Sequence, residues 1–344
     1  MKLLVSTLEP SSNLHLKEVL KHTKNIELLG IFDKNLGTPL YDISDMAIMG
    51  FVDALKKVRW FFKVANEMVE LAKEADKILL MDSSGFNLPL AKKLKKSYPK
   101  KEIIYYILPQ VWASRSYRTK DLEKYCDKLL GILPFEIDLY HNKAQYVGHP
   151  LLDEITMTKE YGTNNGIIAY MPGSRSSEIR RLLPIYKAVQ KKLSKQKSIL
   201  VIPPSFSDNK IATLYGDISM FEVSRNTHQT LYEADYAFIC SGTATLEAAL
   251  IGTPFSLSYI AKRLDYFIGK RLLNIQYVGL ANIILSHYNG ALLHKEFLQD
   301  EVSADNLLQE YYQHDKKYFL SQRKSLREYL RHGSSKNVSR IIKS

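Results

Sequence analysis

The chain has 344 residues, of which 45% are hydrophobic and 24% are charged. These proportions exclude collagen-like, low-complexity and wholly disordered chains, and the length predicts two domains. The 48 Lys and Arg outnumber the 36 Asp and Glu and give a formal charge of +12. This charge favours a polyanionic partner such as nucleic acid, anionic lipid or a phosphorylated substrate, with a solvated lysine-rich surface as the open alternative.

Two cysteines, Cys126 and Cys240, form no CxxC pair, which excludes a disulfide framework and the common structural zinc sites. The first residues lack the apolar region of a secretory signal. No run reaches the ~18 apolar residues that a membrane-spanning helix needs. We therefore expect a cytoplasmic protein without an integral membrane segment.

Short apolar segments of strand type alternate with helical segments along the whole chain. The predicted strands are residues 2–5, 26–32, 77–81, 103–108 and 128–133 in the first half, and residues 166–171, 198–202, 236–240 and 255–259 in the second. Continuous apolar strands separated by helices are typical of parallel sheets covered on both faces. The sequence predicts an α/β fold with two Rossmann-like domains, whose parallel sheets face each other across a cleft.

A polar segment, residues 156–165, separates the two series of strands and contains the turn-forming pair Asn164-Asn165. It predicts a first domain of residues 1–160 and a second domain of residues 161–315. Residues 316–344 are predicted to form basic C-terminal helices that cross back to the first domain.

An amphipathic helix is predicted after the second strand. Its apolar stripe is Phe51, Leu55, Val58, Phe62 and Ala65, its basic stripe is Lys56, Arg59 and Lys63, and Trp60 and Val64 point away from the apolar stripe. Basic residues beside aromatic ones are typical of a helix at an anionic membrane surface. Trp60, Phe61 and the three basic residues are the candidate membrane contacts, and a fully packed core helix is the alternative.

The third strand ends in a carboxylate, Asp82, which is followed by a turn of small residues. Ligands of open parallel sheets bind beyond the carboxyl ends of the strands, so this carboxylate is expected at the cleft. A helix-capping or turn aspartate is the alternative.

Two junctions in the second half have the composition of a phosphate site. After residues 166–171, Gly173 and Ser174 form a tight turn before a helix, and Arg175 adds a forked cation. After residues 236–240, small residues allow a ligand close to the backbone, and Glu247 follows one helical turn later, where it could bind a ribose diol. These small residues are Gly242, Thr243 and Ala244. The alternatives are an ordinary loop, a packing glycine and an exposed glutamate.

Several common sites are disfavoured. There is no GxGxxG after the first strand and no GxxxxGK[ST], which argues against NAD enzymes and P-loop NTPases. The nine histidines have no metal spacing, and no DxD-like pair or HExxH cluster occurs, so we predict no metal and no cofactor. His149 is interpreted as part of a structured turn, and Trp112 either lines the acceptor cleft or packs in the core.

Seven segments carry a resemblance that covers nearly the whole chain. They are residues 49–50, 81–87, 109–113, 133–136, 147–151, 172–175 and 241–247, extended by Asn282 and residues 296–299. In this order they resemble the lipid-A-disaccharide synthase family of GT-B glycosyltransferases. The resemblance implies transfer of diacylglucosamine from UDP-2,3-diacylglucosamine to the 6-hydroxyl of lipid X (2,3-diacylglucosamine 1-phosphate). The products are a β-1,6 disaccharide and UDP.

The resemblance also implies roles for single residues. Asp82 is the predicted catalytic base, because residues 82–87 keep only the first of the family's two carboxylates. Arg175 and the helix start at Thr243 would stabilise the leaving UDP, and Glu247 would hold the ribose. The residues that would orient sugar or acceptor are Glu9, Asn13, Asn87 and Asn282, and Asn13 stands where the family has an aspartate.

The family further implies a peripheral location at the inner face of the inner membrane of a Gram-negative bacterium, and a homodimer is left open. A UDP-sugar epimerase of similar two-domain fold is the alternative enzyme. A nucleic-acid-binding protein is disfavoured, since no RRM, KH or zinc-finger signature occurs.

Overall fold

A computed structural model describes residues 1–48, 54–261 and 276–344. The chain forms two compact units. The first comprises Met1–Glu154 with Leu330–Ser344, and the second comprises Ile155–Tyr329. This division corrects two of the predicted limits, residues 160 and 316. The backbone N–H of Lys159 donates to Ile251 at 2.8 Å, and Arg323 and Arg327 donate to the Leu250 carbonyl at 3.1 and 2.9 Å, so all three belong to the second unit.

The first unit contains a six-stranded parallel sheet in the order β2-β1-β3-β4-β5-β6. Its strands are β1 Lys2–Thr7, β2 Glu27–Ile31, β3 Lys77–Met81, β4 Ile103–Tyr106, β5 Lys128–Gly131 and β6 Ala144–Tyr146. The five predicted strands correspond to the first five. The sequence does not predict β6, because this edge strand has three residues and none of them is buried.

The helices of the first unit cover both faces of its sheet. They are α1 Pro10–Lys21, α2 Ile43–Ile48, α3 Ala54–Leu71, α4 Ser84–Ser97, α5 Arg118–Tyr125 and α6 Pro150–Glu154. Leu4 and Leu80 point to one face and pack with α3 and α4, whereas the neighbouring Leu3 and Leu79 pack on the other face with α1. Because side chains alternate along a strand, a strand that is buried on both faces is apolar throughout.

The second unit contains another six-stranded parallel sheet, in the order β12-β11-β10-β7-β8-β9. Its strands are β7 Ile167–Met171, β8 Lys197–Val201, β9 Glu222–Ser224, β10 Tyr236–Cys240, β11 Phe255–Tyr259 and β12 Lys295–Leu298. The four predicted strands form the centre of this sheet. The edge strands β9 and β12 are not predicted because they are short and partly exposed.

The helices of the second unit lie between and after these strands. They are α7 Ser176–Lys192, α8 Asp208–Tyr215, α9 Thr227–Glu233, α10 Thr243–Ile251, α11 Leu280–Asn289, α12 Ala304–Gln313 and α13 Lys316–Leu330. The last helix, α14 Ser334–Lys343, belongs to the first unit, where Val338 and Ile342 pack with Leu16 and Val19. Of the helices that the structure describes, none is both long and apolar enough to cross a membrane.

Candidate active site

In each sheet, two neighbouring strands have connections that run towards opposite edges of the sheet. This switch point lies between β1 and β3 in the first unit and between β7 and β10 in the second. Ligands of open parallel sheets bind beyond the carboxyl ends of the strands at such a point. Glu9 and Asp82 follow β1 and β3, and Gly173 and Gly242 follow β7 and β10. These four predicted site residues therefore lie at the switch point of their own unit.

A pocket of about 400 Å³ lies at the switch point of the second unit, a volume that suits a small-molecule ligand. It is lined by all seven residues that the sequence predicts for nucleotide binding: Gly173, Ser174, Arg175, Gly242, Thr243, Ala244 and Glu247. Pro203, Pro204 and Thr227 add to its wall and were not predicted. The signal for the two prolines was their position directly after a predicted strand.

Gly173 is required by the geometry of the turn. Its φ is +102°, in the left-handed region that favours glycine. A Cβ atom there would lie 2.5 Å from Glu178 Oε2 and 3.1 Å from Cys240 Sγ. Any side chain at this position would therefore push Glu178 out of place.

Glu178 holds Arg175 at the rim of the pocket. Its Oε1 accepts from Arg175 Nη1 at 2.8 Å, and its Oε2 accepts from the Arg175 backbone N–H at 3.2 Å. This carboxylate raises the pKa of Arg175, whose side chain is 77% exposed. The guanidinium is thus oriented while most of it stays accessible to a ligand. Glu178 was not predicted as a site residue from the sequence, although its i,i+3 spacing from Arg175 was a signal for this ion pair.

The start of α10 forms the opposite side of the pocket. The first backbone N–H groups of a helix have no partner within the helix and attract anions. Glu247 lies one turn further along α10 with its side chain 18% exposed, and His228 Nε2 lies 3.8 Å from Glu247 Oε1. The arrangement offers amide donors for a diphosphate and a carboxylate for hydroxyl groups.

Asp82 occupies a strained and tightly held turn in the first unit. Asp82 and Ser83 have φ values of +51° and +40°, which are costly for residues other than glycine and occur often at functional sites. The Asp82 N–H donates to Tyr106 at 3.1 Å, and its carbonyl accepts from the Tyr105 hydroxyl at 2.6 Å and from Asn87 Nδ2 at 3.0 Å. Both backbone groups of Asp82, its N–H and its carbonyl, are thus bound within the protein.

Burial raises the pKa of the Asp82 carboxyl above its ordinary value. A hydrogen bond from the Ser83 backbone and the electrostatic effect of His15 both lower this pKa and partly offset the rise. His15 Nδ1 is hydrogen-bonded to Glu154 Oε1, and both side chains are only 11% exposed. The sequence analysis missed this pair, because 139 residues separate the partners and neither belongs to a local motif. A raised pKa suits a carboxylate that must accept a proton.

Two of the predicted orienting residues have no free hydrogen-bonding group. Asn13 Oδ1 accepts from Thr7 Oγ1 and the Asp33 N–H, and its Nδ2 donates to the carbonyls of Thr7 and Glu9. Asn282 is saturated in the same way. Its Oδ1 accepts from the N–H groups of Leu293 and His294, and its Nδ2 donates to the His294 carbonyl and Glu296 Oε1. In this structure both side chains position backbone groups, and their contact with sugar or acceptor stays a prediction.

Asn87 also acts on the backbone. It is fully buried, accepts from Ser6 Oγ at 2.6 Å, and donates to the carbonyls of Met81 and Asp82 at 2.9 and 3.0 Å. It ties the end of β1 to the turn that carries Asp82. Glu9, by contrast, is exposed at the N-cap of α1 and is accessible to a ligand.

Sequence comparison decides the family. The profile of the family described as lipid-A-disaccharide synthetase matches residues 3–341. A lipid-A-disaccharide synthase of Helicobacter pylori (strain J99) is 47% identical over 98% of this chain and 96% of its own length. The chain belongs to the lipid-A-disaccharide synthase family.

Solved structures share the fold. A UDP-GlcNAc 2-epimerase from Neisseria meningitidis, bound to UDP-GlcNAc, superposes with a TM-score of 0.62 at 11% identity and covers 100% of both chains. A glycosyltransferase from Streptomyces nogalater has a TM-score of 0.57 at 14% identity and covers 99% of this chain and 98% of its own. At such identities the likeness concerns the fold alone. The predicted GT-B class is confirmed, and membership of the family makes the chain a glycosyltransferase.

Residues 133–136 and 147–151, which also carry the resemblance to the lipid-A-disaccharide synthase family, each contain a buried side chain or N–H that binds the backbone of the first unit. Glu136 is buried and accepts from the N–H groups of Ile132 and Leu133 at 2.8 and 3.0 Å, and burial raises its pKa to about 7. The His149 N–H donates to the carbonyls of Leu330 and Arg331 at 3.1 and 3.2 Å. Burial lowers the pKa of the His149 ring to about 3, so the ring is neutral, and the residue directly precedes α6.

The predicted membrane helix corresponds to α3, but its orientation differs from the prediction. Val64, which was predicted to point away from the apolar stripe, is fully buried, and Phe62 of the stripe is 57% exposed, whereas Ala65 of the stripe is buried. Trp60 is half-buried and meets Tyr41 edge-on at 5.5 Å, and Phe61 packs on Phe86 at the same distance. Arg59 and Lys63 are exposed. Phe51 and the side chain of Lys56 lie outside the described residues.

Trp112 lies after β4 and contacts Phe135 edge-on at 5.7 Å. Within residues 1–48, 54–261 and 276–344, no three His, Cys, Asp or Glu side chains are grouped as metal ligands.

Proposed function

We propose that the enzyme transfers diacylglucosamine from UDP-2,3-diacylglucosamine to the 6-hydroxyl of lipid X, with release of UDP. The family, shown over residues 3–341, supports the reaction. The observation that carries the residue roles is the pocket of the second unit, in which Arg175, the start of α10 and Glu247 converge.

The second unit binds the donor through its nucleotide. Arg175 and the first N–H groups of α10 bind the diphosphate, and Glu247 accepts hydrogen bonds from the ribose hydroxyls. Negative charge grows on the diphosphate as the glycosidic bond breaks. Donors that are already oriented towards this charge stabilise the transition state more than the ground state.

Asp82 is the catalytic base on the acceptor side. Transfer from an α-linked donor to a β-linked product inverts the anomeric centre, so a single displacement suffices. The carboxylate takes the proton of the 6-hydroxyl as that oxygen attacks the anomeric carbon. Its turn is held by Tyr105, Tyr106 and Asn87, which keep the carboxylate in place without contacting substrate.

The acceptor is a membrane lipid, and we assign the contact with an anionic membrane surface to the exposed side of α3. Phe62, Arg59 and Lys63 are among the described residues exposed there. This arrangement supports peripheral binding at the inner face of the inner membrane.

One incubation tests the reaction. Purified enzyme is mixed with UDP-2,3-diacylglucosamine and lipid X in detergent, and products are identified by mass spectrometry. We expect a disaccharide 1-phosphate and one UDP for each disaccharide. A second incubation contains UDP-N-acetylglucosamine alone. Its conversion to the 2-epimer, with no disaccharide in the first incubation, would instead identify an epimerase.

A further inference from the structure

An apolar groove of about 490 Å³ lies in the first unit between the middle of α3 and the first part of α4. Its walls are the side chains of Leu8, Phe61, Phe62, Ala65, Phe86 and Pro89. These residues come from the loop after β1 and from two helices. The sequence predicted Trp60 and Phe61 as membrane contacts, with a packed core helix as the alternative, and did not predict a cavity.

The groove is continuous with the turn that carries Asp82. Ser83 and Gly85 line its inner end, and Glu9 lines it from the loop after β1. Ser83 is the residue that directly follows Asp82. A ligand whose hydroxyl group lies at the Asp82 carboxylate can therefore extend directly into the groove.

A cation lies at the outer rim. Lys93 Nζ is 5.3 Å from the centre of the Phe62 ring and 2.6 Å from Asn66 Oδ1. Lys93 is a lining residue of the groove. The rim thus combines an apolar interior with a positive charge, which suits a molecule that has both an alkyl chain and an anionic group.

The chemistry of the walls selects the occupant. A sugar or a peptide buried there would lose hydrogen bonds to water, and the side chains of α3 and α4 that form the walls offer few in return. A peptide that binds by strand addition also needs an open strand edge, whereas the backbone groups of these helices are already paired. An unbranched hydrocarbon chain has no such requirement.

We infer that this groove binds an acyl chain of the acceptor lipid while the acceptor hydroxyl lies at Asp82. The inference rests on the proposed function, since it names the part of the acceptor that this unit recognises. The groove then fixes the position of the sugar relative to the base, and the length of the chain that fits becomes a determinant of acceptor choice.

Gly85→Leu is the variant that fills the groove. Gly85 lines it, lies in the first turn of α4, and a Cβ atom there would meet no atom within 4 Å. The larger side chain therefore enters open space and the fold is expected to persist, which an unchanged melting temperature verifies. Phe62→Ser removes a wall that is already 57% exposed. Tyr312→Ser, at an aromatic residue of α12 that is 70% exposed, is the matched control.

The probes are a series of glucosamine 1-phosphates with short acyl chains, in which each member has chains one methylene longer than the last. They are used as monomers, below their critical micelle concentration. Calorimetry without donor gives each Kd. For the unaltered enzyme we expect affinity to rise about fourfold per methylene per chain in the groove, until the groove is full. In Gly85→Leu the rise should stop at a shorter chain, in Phe62→Ser it should be shallower, and Tyr312→Ser should match the unaltered enzyme.

If affinity rises with chain length equally, and to the same chain length, in the unaltered enzyme and in Gly85→Leu, the inference is overturned. The inference would also be overturned if Gly85→Leu and Phe62→Ser lost affinity only for acceptors presented in vesicles. That result would make the groove a contact with the bilayer. Because the calorimetry needs no turnover, it remains decisive if no disaccharide forms, a result that would refute the proposed function instead.

Discussion

The side-chain amide of Asn87 donates to the carbonyl oxygen of Asp82 at 3.0 Å and to that of Met81 at 2.9 Å. One buried amide thus holds the end of β3 and the first residue of the turn beyond it. Because the turn has two successive residues with positive φ, such anchoring is needed to keep it in place. Asn87 is therefore a positioning residue for the turn that carries Asp82, the proposed base.

Asp82→Asn should abolish turnover without unfolding the protein. The amide keeps the shape but cannot accept the proton, so we expect kcat to fall by at least ~10²-fold. Burial raises the pKa of this carboxyl in the folded state, which means that ionisation at neutral pH opposes folding. The neutral variant should therefore melt at the same or a higher temperature, as measured by calorimetry. Retention of more than about a tenth of kcat would exclude the base role.

The pH dependence of kcat/KM should report Asp82. The base works only when deprotonated, so activity should fall as the pH decreases through a pKa above the ordinary value of 3.8. His15 lowers the pKa of Asp82, so His15→Gln should move this acid limb to higher pH. His22→Gln, at an exposed residue at the other end of α1, is the control and should leave the limb in place.

Arg175→Ala and Glu247→Ala should both weaken UDP binding, and Arg175→Ala should also reduce kcat because the charge on the leaving group grows in the transition state. Isothermal titration with UDP measures the first effect and steady-state kinetics the second. Arg180→Ala removes an exposed arginine of the same helix and should change neither. Unchanged UDP affinity in both pocket variants would locate the nucleotide elsewhere.

The aromatic residues of α3 should separate into two classes. Trp60→Ser truncates a half-buried ring that packs on Tyr41, so it should lower the melting temperature. Phe62→Ser should leave the melting temperature nearly unchanged and reduce sedimentation with anionic vesicles, since Phe62 is 57% exposed. Equal destabilisation by both changes would place Phe62 in the core as well.

EDTA should not reduce the activity, because the diphosphate has protein donors in Arg175 and the start of α10. The assay is run with and without the chelator at fixed pH. Loss of activity that Mg²⁺ restores would show that a metal ion shares the role of Arg175.

Much of the architecture is determined by local pattern. A short apolar run such as β10 is typical of a strand covered on both faces, and the alternation of such runs with helices predicts parallel sheets. The turns at Gly173 and Gly242 could be located for the same reason, since each directly follows such a run. The short edge strands β6, β9 and β12 could not, because a strand with one neighbour is partly exposed and has no distinctive pattern.

Only the tertiary structure decided which groups meet. The order β2-β1-β3 brings the loop after β1 beside Asp82, and packing pairs His15 with Glu154 across 139 residues. It also decided that Asn13 and Asn282 bind backbone groups and that Trp60 packs against the core. A sequence shows the spacing of apolar residues along one helix or strand, and thereby which face of it is buried. It does not show the partner on the next element, and hydrogen bonds, ion pairs and the free side chains of a site are all defined by that partner.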